Sequence, residues 1–362
     1  MKKPIIFVVA VFGLLGIFGG CVTNPTPAAG PTVAPDSTPV VEGPQTPGGL
    51  DYLANPLLAL LPYEMAPRPT QSDLDDLVNA FVAGVENVST KFADDLKLAS
   101  RAIALSNPIY TPSEMLSALT SCFLGFREDE DGWAYYQNQY IYIGDDAMAI
   151  EPFSWVLAHE LMHALSLCDK PKVFPHRIDD IQGVVWGERI AEGLADLYAF
   201  AALDGQFWRL VGGTQLQSYV SIDAQVGGTL EQASALVFVN ALGRAIVARA
   251  YFGSQDDHQA IADYYEGLVG RPFSQFLSAA EEWVAYAYEF ADREPNREAA
   301  SQAGRKYLDL VIEVCEKRVS SPIAPLEISE VDALIALSFE IYDPTYMAGY
   351  YAALAQIRLA IP

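Results

Sequence analysis

Val156-Leu157-Ala158-His159-Glu160-Leu161-Met162-His163-Ala164-Leu165 is the stretch on which the reading of this chain turns. It contains the pattern HExxH. Pro152 suits the first turn of a helix, and no residue from Phe153 to Leu167 breaks one. Side chains four apart on a helix share a face. His159 and His163 therefore point the same way and can offer two imidazole nitrogens to one cation. Glu160 stands beside the first histidine, placed to reach a water on that cation rather than the cation itself. The other residues from Val156 to Leu165 are uncharged, as in a helix packed inside a domain. The bland alternative is a pair of core histidines and a buried carboxylate. An ionised Glu buried without a partner is costly, which weighs against it.

The segment resembles the zincin metallopeptidases. The resemblance implies one Zn2+ per chain, and a third protein ligand decides the branch. A metzincin would continue as HExxHxxGxxH, but Ser166 stands at the Gly position and Asp169 at the third-His position. A variant with Asp as third ligand would nominate Asp169, yet it also needs the missing Gly for a sharp turn. The gluzincin pattern fits better. It places a Glu on a second helix and an Asp four residues later, matched by Glu192 and Asp196 between Gly187 and Leu197. This implies the ligand set His159, His163 and Glu192, with the fourth position left for water. Asp196, one turn on, would accept the spare N–H of a ligand histidine and fix its tautomer. Glu188 competes one turn earlier, but the fourth residue after it is Glu192, not an Asp.

Tyr140-Ile141-Tyr142-Ile143 lies 16 to 19 residues before His159. It is short, aromatic and β-branched, and Gly144-Asp145-Asp146 ends it, so it reads as a strand. In zincins an edge strand shortly before the HExxH helix pairs with the extended substrate backbone. The resemblance assigns that role to Tyr140, Ile141, Tyr142 and Ile143. The implied activity is zinc-dependent hydrolysis of peptide bonds in a peptide or protein substrate, with Glu160 as general base. His258, Tyr264 and Tyr265 are candidates for the group that stabilises the oxyanion. His176 lies between the two site helices and could line the cleft.

Working outward, Thr70 is a plausible N-cap for a helix carrying Leu74, Leu77, Val78, Phe81, Val82 and Val85 at helical spacing. Thr111-Pro112-Ser113-Glu114 has the form of a capping box with Pro at the first helical position. From about Glu231 to the C-terminus the pattern is mostly helical. The expected fold is α+β and mostly α: a zincin-like domain with a small sheet beside the HExxH helix and a helical C-terminal part.

The N-terminus reads as an address. Lys2 and Lys3 precede 14 apolar or Gly residues, Ile5 to Phe18, too few for a comfortable span of about 20. Gly19 and Gly20 before Cys21 resemble a lipobox, which implies a signal peptide at 1–20 and a lipidated Cys21. The alternatives are an ordinary secretion signal or an uncleaved anchor from Pro4 to Val22. All of them send the rest of the chain outside the cytoplasm. Residues 22–50 hold seven Pro, four Gly and five Thr, with no aromatic and no Lys or Arg. That composition makes an extended spacer between a membrane and the folded part, 51–362.

Lys and Arg total 22 against 46 Asp and Glu, a formal charge of −24, which excludes ordinary nucleic-acid binding. The chain has four cysteines and no CxxC pair, so a zinc ribbon is excluded. Beyond Cys21, the thiols Cys122, Cys168 and Cys315 allow at most one internal disulfide, and its pairing is not readable. Asn87-Val88-Ser89 matches a glycosylation sequon inside the first helical stretch. Two rivals to the enzyme remain: a catalytically silent zincin-like binding or structural lipoprotein, and a helical surface protein with an accidental motif. Glu160 separates the first, because a silent site has no use for it.

Overall fold

Capping chemistry starts the first helices where the sequence places them. The computed structural model describes residues 69–107, 110–129, 134–148, 153–167, 188–203, 227–253, 255–290, 294–337 and 343–362. The leader at 1–20, Cys21, the spacer, Asp169, His176 and Cys168 lie outside the described residues. Helix α1 (Gln71–Gly84) begins at Thr70, whose hydroxyl accepts from the Asp73 N–H while the Asp73 carboxylate accepts from the Thr70 N–H. Two orphan donors of the first turn are thereby satisfied. The apolar stripe Leu74, Val78, Phe81 and Val82 is buried. Helix α2 (Ala93–Ser106) packs on α1 and buries Leu96, Ala99 and Ile103. Helix α3 (Pro112–Cys122) has the same reciprocal cap between Thr111 and Glu114.

Three short strands follow: β1 (Gly125–Glu128), β2 (Ala134–Gln137) and β3 (Tyr140–Ile143). The sheet order is β1-β3-β2, with β3 parallel to β1 and antiparallel to β2. The strand expected at Tyr140–Ile143 has those limits. Its expected place at an edge is corrected: Tyr140, Ile141, Tyr142 and Ile143 form the central strand, paired on both sides, and so have no free edge for a substrate. Asn138 and Gln139 join β2 to β3 with φ of 51° and 67°, the left-handed pair of a two-residue hairpin turn. That turn lacks the usual Gly, which hides the hairpin in the sequence.

Helix α4 (Asp145–Met148) leads to α5 (Phe153–Leu167), which carries HExxH and packs against α2, α3, β2 and α6 (Glu188–Leu203). Helix α7 (Gly227–Leu242) lies on the other side of α6. The two approach closely at Gly193, where a Cβ would come within 2.2 Å of the Glu231 carbonyl oxygen. Only glycine fits there. Helix α8 (Arg244–Phe252) turns away from α7 by 114° at Gly243, whose φ is +108°. Helices α9 (Gln255–Val269), α10 (Phe273–Phe290), α11 (Glu294–Arg318), α12 (Ile328–Ala336) and α13 (Pro344–Ala360) complete the C-terminal half.

The described residues all fall within one unit, Leu50–Pro362. They are mostly helical with a small three-stranded sheet, the mostly-α class expected. Cys122 is disulfide-bonded, and Cys315 is a free, buried thiol. Asn87 spends its side-chain amide on the Phe126 carbonyl, which it donates to at 3.2 Å.

Candidate metal centre

Helix α5 is buried on nearly every side and packs against α6, whose Ala191, Ala195, Ala199 and Ala202 are all buried. Small side chains let the two backbones come close, so polar groups at i and i+4 on each helix meet across the gap. The start of α6 is pinned from far along the chain. Glu281 on α10 accepts from the backbone N–H groups of Arg189 at 3.2 Å and Ile190 at 2.7 Å. These are first-turn donors that the helix itself cannot satisfy.

The result is a tight triangle of donor atoms. His159 Nε2 lies 2.9 Å from His163 Nε2 and 3.1 Å from Glu192 Oε2, and His163 Nε2 lies 3.4 Å from the same oxygen. A tetrahedral divalent cation with donors about 2.1 Å away sets neighbouring donors roughly 3.4 Å apart. The three edges match that closely enough for small rotamer adjustments to seat an ion. His159, His163 and Glu192 together can hold a metal ion.

Asp196 fixes the chemistry of one corner. Its Oδ1 lies 2.7 Å from His159 Nδ1. A carboxylate only accepts, so Nδ1 carries a proton and donates, which turns Nε2 to the triangle. Gln232 on α7 donates to the other Asp196 oxygen at 3.2 Å. A relay thus runs from α7 through α6 to the ligand on α5. Burial alone would depress the His159 imidazole, but the Asp196 and Glu192 carboxylates outweigh it and hold His159 well above the usual imidazole range. The triangle therefore draws positive charge.

Glu160 follows His159 on α5. It is 6% exposed. Burial lifts its carboxyl to about 7, His159 opposes the rise, and Glu192 adds to it. The backbone N–H of Tyr136 on β2 favours its charged form and opposes the rise. Its Oε2 is buried and has no hydrogen-bond partner among the described residues. The Glu192 side chain is 34% exposed, so the triangle opens to solvent on that side. Behind it, Glu231 on α7 sits 3.5 Å from Arg189, and burial followed by the neighbouring Glu192 raises its carboxyl to about 8.

The structure brings together His159, Glu160, His163, Glu192 and Asp196, as read from the sequence. It does not bring Tyr264 or Tyr265 to them. Tyr264 donates to the Ala324 carbonyl, and Tyr265 packs against Phe273 and Phe276 in the C-terminal core. The side chain of His258 and that of Glu188 lie outside the described set. Sequence reasoning missed three supports: the Tyr136 N–H, Gln232 and Glu281. None carries a local signal, since each acts from a different element. Comparison with protein-family models, with curated proteins and with solved structures finds no match.

Proposed function

We propose that this chain is a zinc metallopeptidase of the zincin type, with the gluzincin ligand set His159, His163 and Glu192. The observation that carries the reading is the donor triangle with a buried, half-satisfied carboxylate beside it. Two imidazoles and one carboxylate are the donor set of catalytic zinc, which keeps an open position, rather than of a closed structural site. When bound there, zinc supplies a Lewis acid and lowers the pKa of water from 15.7 towards about 7.

The chain's own groups do the rest. Glu160, lifted by burial, is tuned near neutrality as a general base should be. It takes a proton from the attacking water through Oε2 and returns it to the leaving amine nitrogen. Asp196 keeps His159 in the tautomer that faces the triangle, and Gln232 keeps Asp196 in place. We further propose that lipidated Cys21 and the Pro-rich spacer hold this domain outside the cytoplasm, against the membrane.

The test is hydrolysis of an unfolded protein substrate by the purified, zinc-loaded chain. Chelation abolishes the activity and added zinc restores it. Glu160→Gln keeps stoichiometric zinc and loses about 10²–10⁴-fold in rate. A Glu160→Gln chain that remains fully active removes Glu160 from the mechanism.

A further inference from the structure

The donor triangle draws on two helices that are seated differently. Helix α5, with His159 and His163, packs against α2, α3 and β2 from the N-terminal part of the chain. Helix α6, with Glu192, lies on α5 and α2 with one side and on α7 and α10 with the other. The third ligand therefore takes its position in part from the C-terminal helices.

Those helices grip α6 at its first turn. Glu281 Oε1 on α10 accepts from the Ile190 N–H at 2.7 Å, and its Oε2 accepts from the Arg189 N–H at 3.2 Å. Both oxygens of one carboxylate thus hold two successive backbone N–H groups. That fixes the advance of α6 along its axis and its rotation together. Glu281 is only 4% exposed, so water competes little for either bond. An ionised acceptor makes such bonds short and strong, and the positive end of the helix dipole favours the charge. A second contact acts on the same turn from α7, where Glu231 Oε1 lies 3.5 Å from Arg189 Nη1. Glu192 follows Ile190 by two residues, so a shift of the first turn carries its carboxylate along. A metal site tolerates only roughly 0.5 Å of such movement.

Resting on the ligand set of the metallopeptidase reading, we infer that Glu281 is a positioning residue for the metal centre: from α10 its carboxylate sets where Glu192 stands relative to His159 and His163. A cation in the triangle and the carboxylate at the first turn then tie the C-terminal helices to α5 through one turn of α6. By linkage, zinc tightens the hold of Glu281 on α6 by the same factor as Glu281 tightens zinc.

The test is zinc affinity of the purified full chain, read by competition with a chromophoric chelator, with circular dichroism as the folding check. Glu281→Gln keeps the shape of the side chain but offers an NH2 to one of the two N–H groups. It weakens zinc about 10- to 100-fold. Arg318→Met, which loosens the C-terminal helices away from the triangle, leaves zinc affinity unchanged. An unchanged affinity in Glu281→Gln, or an equal loss in Arg318→Met, overturns the inference. Should Glu281→Gln fail to fold, hydrogen exchange of the wild-type chain with and without zinc decides. Zinc then slows exchange at the Arg189 and Ile190 N–H groups and along α10 around Glu281, whereas equal rates in α10 overturn the inference. Zinc affinity is read without hydrolysis, so a chain that binds zinc at the triangle but cuts nothing sinks the hydrolase reading alone. A wild-type chain that takes up no zinc overturns both.

Discussion

Arg318, Glu330, Arg244 and Asn240 form one buried polar cluster in this domain, and His159, His163, Glu192 and Asp196 form another. In the first, donors meet acceptors. All five N–H groups of Arg318 are used: Nε on the Ala324 carbonyl, Nη1 on those of Asn240 and Ala241, Nη2 on Pro325 and the Glu330 carboxylate. Arg244 donates to the Asn240 side chain and to Ser329, and its backbone N–H donates to Glu330. The cluster closes the end of α7 at the bend beside Gly243, and it needs nothing from outside. In the second, three atoms able to bind a proton or a metal converge. Two imidazole nitrogens and a carboxylate oxygen face one point at 2.9 to 3.4 Å. A structural polar cluster satisfies itself, whereas this one holds together only with a proton or a metal cation between its members.

That difference is open to attack from both sides. The largest effect falls on the self-satisfied cluster. Arg318→Met leaves the Glu330 carboxylate buried without its main partner and costs about 3–5 kcal/mol in urea unfolding, the same with and without zinc. A zinc-dependent loss would mean that the two clusters are coupled. Next, Gly193→Ala forces a Cβ against the Glu231 carbonyl and pushes α6 from α7, at about 1–3 kcal/mol. Because Glu192 precedes Gly193, zinc affinity falls as well, which equilibrium dialysis reads directly. The smallest effect is at Asp196. Asp196→Asn weakens zinc binding about 10- to 100-fold while the helices stay packed, because it disturbs only the orientation of His159. An unchanged affinity would remove Asp196 from the site.

How much of this was legible follows from where each signal resides. HExxH is local: helical geometry alone puts His159 and His163 on one face. Glu192 and Asp196 share that property on the second helix, so the pattern exposed them together. The capping boxes at Thr70 and Thr111 are equally local, and both helices start there. The strand at Tyr140–Ile143 was legible from its residue types, but its place in the sheet was not. Strand order depends on partners, and the hairpin turn Asn138-Gln139 carries no Gly to announce β2. Glu281 caps α6 from 91 and 92 residues away, and Gln232 reaches Asp196 from 36, so no spacing rule finds them. The influence of β2 on Glu160 comes from its backbone and leaves no residue signature at all.

The central claim is that three side chains from two helices share one zinc ion. An anomalous-scattering map at the zinc edge, from crystals of the chain grown with zinc, tests it most directly. The account predicts one peak per chain, about 2.0–2.2 Å from His159 Nε2, His163 Nε2 and Glu192 Oε2. A chain that takes up no zinc at that point, or binds it only elsewhere, contradicts it.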